Sequence, residues 1–441
     1  MRVETISGWG RQSIQAQQHQ SEDLERITRE VPLTRGLGRS YGDSSLPPSD
    51  APVVASSVLA DRLLAFDPTT GILRAEAGLS LRELIRVFLP RGWFPPVTPG
   101  TSYVTLGGMV ASDVHGKNHH RDGTIGAHVQ RIKLRVASGD VVECSRTQHP
   151  MLFRATLGGM GLTGHILEVE LKLQRVPTPW IWQESERVPN IDAYIQALKD
   201  AGPKWPFTVG WIDCLSKGRN LGRGILMKGR WADPAEAPAR FPKPKRRLRV
   251  PFDLPEWVLG PWSVRLFNEL YYRKQLQREK RGVVHPESFF YPLDAIRDWN
   301  RLYGKRGLTQ YQCVLPEEAG PQSARRFLEL LTQRGGASFL CVIKDCGAEG
   351  EGLLSFPKPG ISIALDIAVR DNTQELIDVL NAFVLQEGGR IYLTKDAWTR
   401  PETYAAMEPR LKQFLEIKGR WDPHNKLRSA QSERLQLKGR T

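Results

Sequence analysis

The pentapeptide Thr-Leu-Gly-Gly-Met stands at positions 105–109 and again at 156–160, and it constrains this chain more than any other feature. It belongs to a wider pattern that includes RGLGRSYGD at 35–43 and PVTPGTSYVTLGG at 96–108, so four glycine-rich segments fall in one region. Glycine lets backbone N–H groups approach a ligand closely, and anionic phosphates are the usual beneficiaries. The spacing is not that of a dinucleotide fingerprint, because GLGRSYG reads GxGxxxG, and no GxxxxGK[ST] loop occurs. Four such loops point to a large phosphate-bearing cofactor lying extended across an α+β domain.

Short strands alternate with these loops through roughly the first 175 residues. RIKLRVASGDVVECS (131–145) carries Ile132, Leu134 and Val136 on alternate positions, then a Ser-Gly-Asp turn, and predicts a hairpin. ILEVELKLQRV (166–176) repeats the alternation, with Glu168, Glu170 and Lys172 on the wet side. SLRELIRVFLP reads as a helix with Ser80 and Glu83 as a capping box, Leu81, Leu84, Ile85 and Phe88 as its apolar face, and Pro90 as its stop. A second helix is expected over 190–202, capped by Asn190 and ended by Gly202.

The C-terminal third holds a weak internal repeat. PQSARRFLELLTQRGGASFLCVIKD and NTQELIDVLNAFVLQEGGRIYLTKD each read as helix, Gly-Gly, strand and a closing Lys-Asp, at Lys344-Asp345 and Lys395-Asp396. The stripes Phe327, Leu330, Leu331 and Leu376, Val379, Leu380, Phe383 predict helices that cover one face of a sheet, with a lysine at each equivalent strand end.

The formal charge of +14 favours anionic partners, whether a phosphorylated substrate, an acidic membrane surface or nucleic acid. No nucleic-acid-binding module is recognisable, so nucleic acid is not an expected partner. Between 241 and 274 five basic residues fall within Lys243 to Arg249, followed by Phe252, Trp257, Trp262 and Phe267. This proline-rich stretch predicts a mobile surface loop or a membrane-facing one. The five cysteines form no CxxC pair, which argues against a disulfide framework. With no apolar run near the ~20 residues of a membrane span and no apolar signal segment in MRVETISGWGRQS, a cytoplasmic protein is expected, with peripheral attachment to the inner membrane left open.

ASDVHGKNHHRDGTIGAH (111–128) concentrates histidines and a lysine. A metal site, a histidine-based catalyst and a packed loop beside a cofactor all fit such a cluster. The set lacks the paired cysteines or regular histidine spacing of structural zinc, and no metal is expected.

RGLGRSYGD, PGTSYVTLGGMVASDVHGKNHH, TLGGMGLTGHI, YLTKD and the closing WDPHNKLRS resemble FAD-dependent oxidases of the vanillyl-alcohol-oxidase (PCMH-type) family, nearest to its branch that oxidises decaprenylphosphoryl-ribose. The resemblance covers nearly the whole chain. It implies an α+β, two-domain fold: a PCMH-type FAD-binding domain over 1–175, a substrate-binding domain over 176–390 built on an antiparallel sheet flanked by helices, and a segment 391–441 returning to the FAD domain. The mobile basic and aromatic loop is expected near 230–265. The FAD-binding residues that it implies are Thr34, Arg35, Gly36, Leu37, Gly38, Arg39, Ser40, Tyr41, Gly42, Asp43, Ser44, Gly100, Thr105, Leu106, Gly107, Gly108, Ser112, Asp113, Val114, His115, Ile166 and Tyr392. The active-site residues that it implies are Lys395, Lys344, Lys117, His115, Gln310, Gln312, Tyr41 and Trp211.

Members with covalent flavin often carry a histidine near the position of Tyr41, so a tyrosine there implies non-covalent FAD. The expected reaction is oxidation of a secondary hydroxyl of a polyprenyl-phosphate-linked sugar by hydride transfer, with a short-chain reductase completing an epimerisation. A soluble alditol or aldonolactone oxidase of the same fold is the alternative. The pocket cysteine of the family corresponds to Ala364 here, its asparagine to Ser362 and a pocket tyrosine to Phe290.

Overall fold

In strand Leu308–Pro316, LTQYQCVLP, every residue is buried, yet its two faces differ chemically. Tyr311, Cys313 and Leu315 point into the apolar core, while Gln310 and Gln312 point to the other side, as the two-residue period of a strand requires. This strand sits in an eight-stranded sheet, in the order 279–284, 181–188, 224–231, 207–212, 341–346, 360–368, 308–316 and 390–391, with every pairing antiparallel. The protein is seen in a computed structural model whose described residues are 3–439, apart from 244 and 337.

Helices Ile191–Ala201, Ser323–Gln333 and Thr373–Gln386 contribute to the core on one side of this sheet. The Tyr311 ring stacks on Phe327 with centroids 6.1 Å apart, and each buried ring of this kind contributes roughly 1.5–3 kcal/mol. The two repeat units do supply helices to the same sheet, and each ends at a glycine in the left-handed region, Gly335 at φ 74° and Gly388 at φ 71°. The buried residue after Phe327 is Leu328 rather than Leu330, and Ile377 and Val384 are buried where Val379 and Phe383 are only partly so. The lysines are not at equivalent strand ends. Lys344 lies within strand Cys341–Cys346, whereas the second strand is only Arg390–Ile391 and Lys395 follows in a turn.

The N-terminal region forms two smaller sheets. Strands Val3–Ser7, Ser13–Gln20, Val53–Ser56 and Thr34–Arg35 make one, in that order, with parallel pairing on both sides of Val53–Ser56. Strands Leu63–Asp67, Ile72–Glu76, His165–Lys172, Val129–Arg135 and Val141–Ser145 make the other, antiparallel throughout. The predicted hairpin is its edge, with Arg131 opposite Ser145 and Arg135 opposite Val141. Helix Leu81–Phe88 is capped by Ser80, which accepts from Glu83 N at 3.1 Å. The Glu83 carboxylate binds Arg86 instead of closing the box, and Pro90 sits inside a 3-10 turn that ends at Gly92, φ 76°. Asn190 caps its helix as expected, but Gly202 keeps right-handed helical angles.

The chain end returns to the first strands. Arg428 N donates to Pro32 O at 3.0 Å, Ala430 N to Leu46 O at 2.8 Å, and the Arg434 guanidinium binds Asp43 at 2.8 and 2.9 Å. A further expectation is corrected by the basic and aromatic stretch. The stretch expected as an irregular loop contains a 13-residue helix, Pro261–Arg273, because Pro261 occupies the first turn, where its missing N–H costs nothing. Pro244, within the basic run, lies outside the described residues. Among the described residues no helix is long and apolar enough to cross a membrane.

Candidate active site

The first glycine-rich segment leaves strand Thr34–Arg35 and meets the second back to back. A Cβ on Gly36 would lie 2.3 Å from Thr105 Oγ1, so only glycine lets the two loops touch. Gly38 has φ 62°, a conformation that L side chains avoid. Thr105 accepts from Gly108 N at 3.3 Å and starts the short helix Leu106–Ala111, while a Cβ on Gly107 would stand 2.8 Å from Ala77 Cβ.

The second copy of the pentapeptide has a different task. Gly158 N and Met160 N donate to Val110 O and Ala111 O, so the second copy buttresses the helix that the first copy starts. Of it only Met160 reaches the cavity, although Gly161 and Gly164, just beyond, do too.

Between these loops and the free face of the large sheet runs a cavity of about 840 Å³, within the range of cofactor and ligand sites. Register builds its sheet wall. Gln312 lies opposite Ala364, Ala364 opposite Val342 and Val342 opposite Trp211, so one row crosses four strands. The next row is Val314, Ser362 and Lys344, and on the other side Gln310 lies opposite Asp366. The structure therefore brings together Lys117, Lys344, Lys395, His115, Gln310, Gln312, Tyr41 and Trp211, all of which line the cavity. Trp211 Nε1 donates to Phe339 O at 2.9 Å, which sets the plane of its ring.

The electrostatics are unusual. Among the described residues none of the three lysines makes an ion pair or a side-chain hydrogen bond. Burial lowers Lys117 to about 7, with Lys344 adding repulsion. Burial also lowers Lys395 to about 7, partly opposed by Asp366. Lys344 is lowered by burial as well. Asp366 is pushed up to about 7 by burial, against the pull of Gln310 and Lys395. Lys395 Nζ stands 4.1 Å from the centroid of the Tyr41 ring. Unpaired buried cations are costly, so a cavity holding three of them suits an anionic occupant.

An anion that needs Lys117 and Lys395 charged should bind with constant affinity below pH 7. Above pH 7 the free lysines lose protons that the complex keeps, so affinity should fall by up to about tenfold per pH unit for each lysine. Calorimetric titrations in two buffers of different ionisation enthalpy should show proton uptake on binding above pH 7. Constant affinity from pH 6.5 to 9 would contradict this coupling.

The histidine loop divides its duties. His115 is neutral, held far below its ordinary value by burial and by Lys344. Its Nε2 faces the Gln312 amide nitrogen at 3.0 Å, and its buried Nδ1 has no partner. Asn118 Nδ2 donates to Pro96 O at 2.8 Å and to Asp122 at 2.6 Å. His119 Nδ1 accepts from Gly347 N at 3.1 Å, and His120 Nε2 meets Trp205 O at 3.0 Å. A Cβ on Gly116 would lie 2.9 Å from Thr98 O, so glycine there permits close approach of the two segments. Among the described residues no group of three histidine, cysteine or acidic side chains is arranged to hold a metal ion.

Most of the residues expected to hold FAD line the cavity: Thr34, Gly36 to Tyr41, Ser44, Gly100, Thr105, Gly107, Gly108, Ser112, Val114, His115, Ile166 and Tyr392. Arg35, Gly42, Asp43, Leu106 and Asp113 lie off it. Arg35 holds Ser45 and the Ser7 carbonyl, Asp43 binds Arg434, and Gly42 packs on the Asp396 carbonyl. Leu106 is buried in the apolar core. Asp113, at φ 39°, accepts from Gly126 N at 2.9 Å and from the Ser355 hydroxyl.

Two groups of residues, Asp366 on one side and Arg82 with Arg247 beside the expected Arg39 on the other, are not evident from the sequence pattern above. Asp366 is a lone acid in the apolar strand Gly360–Ala368; it receives hydrogen bonds from Gln310 and, at 3.3 Å, from Tyr303. Arg39, Arg82 and Arg247 converge on the Tyr103 ring at 5.3, 5.4 and 5.1 Å, and Arg39 also covers Trp9 at 4.2 Å. Arg39 Nε and Arg247 Nη1 are buried without partners. A lone acid in an apolar strand is a readable signal for the first group. Nothing in the sequence brings Arg247 to Tyr103.

The family described as FAD binding domain matches residues 23–145. The chain is 33% identical to decaprenylphosphoryl-beta-D-ribose oxidase of Mycolicibacterium smegmatis, with 98% of this chain and 97% of that protein aligned. It is 31% identical to a Streptomyces coelicolor protein named as an uncharacterized protein in the mprA 5' region, over 81% of this chain and 100% of that protein. A shorter likeness, 27% identical, joins 37% of this chain to 32% of the D-arabinono-1,4-lactone oxidase of Yarrowia lipolytica.

Proposed function

The chain belongs to the family of FAD-dependent oxidases that contains decaprenylphosphoryl-beta-D-ribose oxidase, and we propose that it oxidises a secondary hydroxyl of a sugar carried on a polyprenyl phosphate. FAD is its cofactor, and when bound it supplies the hydride acceptor for the alcohol carbon. The observation that carries the reading is the trio of unpaired lysines, Lys117, Lys344 and Lys395, around one cavity between the glycine loops and the sheet.

Each residue has a part in this reading. The glycine loops and Tyr392 hold the cofactor, and Tyr41, which cannot form a histidyl–flavin bond, accords with non-covalent binding. Lys395, whose charged form the neighbouring Asp366 favours, supplies positive charge where negative charge develops as the hydride leaves the substrate. Lys117, whose charged form is disfavoured by burial and by Lys344, gives up its proton more readily than an ordinary lysine and in its neutral form takes the hydroxyl proton. Gln310 and Gln312 orient the sugar, and Gln312 also sets the ring of His115. Trp211 and Phe290 give the sugar an aromatic wall. The arginines around Tyr103 suit a phosphodiester, with a reductase and a membrane surface as the further partners of such an enzyme.

Anaerobic bleaching of the flavin, followed with a panel of sugars, tests the reading. Bleaching by polyprenylphosphoryl pentoses and none by free alditols or aldonolactones is expected. The reverse pattern would replace the reading with a soluble alditol or aldonolactone oxidase, which the partial likeness to D-arabinono-1,4-lactone oxidase keeps as the alternative. Acid precipitation should release the flavin into the supernatant if the attachment is non-covalent.

A further inference from the structure

Asp366 is the single charged residue of strand Gly360–Ala368, fully buried and directly across the sheet from Gln310. A carboxylate in such a strand is costly unless hydrogen bonds and a counter-charge hold it. One of its oxygens accepts from Gln310 Nε2, and the other accepts from the Tyr303 hydroxyl at 3.3 Å. The nearby cation is Lys395, which favours the ionised acid.

An ionised carboxylate only accepts hydrogen bonds, so whatever faces it must donate. Gln310 therefore turns its amide nitrogen, and not its carbonyl, toward Asp366. The same nitrogen lies 3.3 Å from the Tyr41 hydroxyl oxygen. Both amide hydrogens are then committed, one to Asp366 and one to Tyr41. Gln310 Oε1 has no hydrogen-bond partner among the described residues and is open to the cavity that Gln310 lines. Gln312, two residues on and on the same face, lacks such an anchor. Its amide nitrogen meets His115 Nε2 at 3.0 Å and the Ser362 hydroxyl at 3.2 Å, and each of those groups can donate or accept. An amide between two such partners can face either way. An amide against a carboxylate cannot.

We infer that Asp366 is a positioning residue: it holds the Gln310 amide by its nitrogen, so that the Gln310 carbonyl oxygen stands in the cavity as a fixed acceptor for a sugar hydroxyl. Asp366 is not part of the cavity wall and acts through Gln310. That the hydroxyl belongs to a sugar rests on the proposed function; the direction of the amide does not. An acceptor fixed in this way binds a free hydroxyl and rejects an ether, an ester or a deoxy carbon at the same place, because each of these leaves the oxygen unpaired.

The test exchanges the two partners in the FAD-loaded full-length protein, with the variants D366N, Q310E and D366N/Q310E. It is run at pH 8, above the value of about 7 for Asp366. In the double variant an amide at position 366 donates to a carboxylate at position 310, whose second oxygen faces the cavity as the acceptor. Thermal midpoints are measured, together with anaerobic flavin reduction by a polyprenylphosphoryl pentose. Q310E sets two carboxylates against each other and should lower the midpoint by about 5 °C. D366N leaves the amide free to turn and should raise the half-saturating substrate concentration about tenfold or more, with a smaller change in maximal rate. D366N/Q310E should return the midpoint to within about 2 °C of the parent and the half-saturating concentration to within about threefold, a rescue that a residue merely filling space would not give. A double variant no better than Q310E overturns the inference, and so does D366N with a half-saturating concentration within about threefold of the parent. If D366N does not fold, Q310E and the double variant decide alone. If no lipid-linked sugar bleaches the flavin of the parent, the substrate reading fails and the midpoints still decide the direction of the amide: recovery in the double variant supports it, and no recovery overturns it.

Discussion

Replacing Lys395 by methionine should lower the rate of substrate-driven flavin reduction by about 10²–10³-fold while leaving FAD bound, the magnitude typical for removing one preorganised charge from a water-poor site. Lys395 stands over the Tyr41 ring at the cavity wall, with Asp366 as the nearby acid that favours its charged form. Nothing replaces it, because Lys117 and Lys344 approach from other elements, the loop after His115 and strand Cys341–Cys346. Methionine keeps much of the volume and removes only the charge. The ligand-free variant should be at least as stable as the parent, since an unpaired buried ammonium has been taken out. Stopped-flow absorbance under anaerobic conditions reads the rate, and the flavin-to-protein absorbance ratio reads retention. A rate within threefold of the parent would remove Lys395 from the chemistry, and loss of FAD together with activity would make it a cofactor-holding residue instead.

The second large effect concerns stability. Lys418→Ala should cost about 3–5 kcal/mol, because it leaves a buried carboxylate without its counter-charge. Lys418 and Asp422 are 1% and 0% exposed, and Lys418 Nζ donates to Asp422 at 2.7 Å and to Asn425 at 3.1 Å. Asp422 also accepts from Lys426 N and Leu427 N at 2.7 and 2.9 Å, so it organises the turn in WDPHNKLRS that sends the chain back to Pro32 and Leu46. The double variant K418M/D422N removes both charges and keeps an acceptor for one of those two amides, so it should recover part of the loss. Denaturant unfolding followed by tryptophan fluorescence gives the comparison. A loss under 1 kcal/mol for Lys418→Ala would show that water reaches the pair.

The legibility of this protein differs by element. The hairpin around Ser138–Asp140 is readable because alternation and turn chemistry are both local. The helix at Ser80 is readable from its cap and stripe, although its glutamate prefers Arg86 to the cap. The Lys395 turn resembles the end of a repeat strand in sequence, but two residues of pairing to strand Leu308–Pro316 are all that the sheet edge offers there. Helix Pro261–Arg273 is masked by the prolines around it, although its thirteen residues contain none after the first position. The two copies of Thr-Leu-Gly-Gly-Met look equivalent and are not, since one edges the cavity and the other braces the first.

By itself the sequence determined where glycines permit close approach, which residues alternate across each strand, and that Gln310 and Gln312 share a face. Those are consequences of bonding geometry within a few residues. Tertiary structure alone decided the row from Trp211 through Val342 and Ala364 to Gln312, the meeting of three lysines from distant segments, and the pairing of Asp366 with Gln310. It also decided which face of the Pro261–Arg273 helix stays uncovered. Strand register and burial depend on contacts between segments far apart in the chain. The lowered lysine pKa values follow from those contacts, because desolvation acts on a charge only after the fold has closed around it.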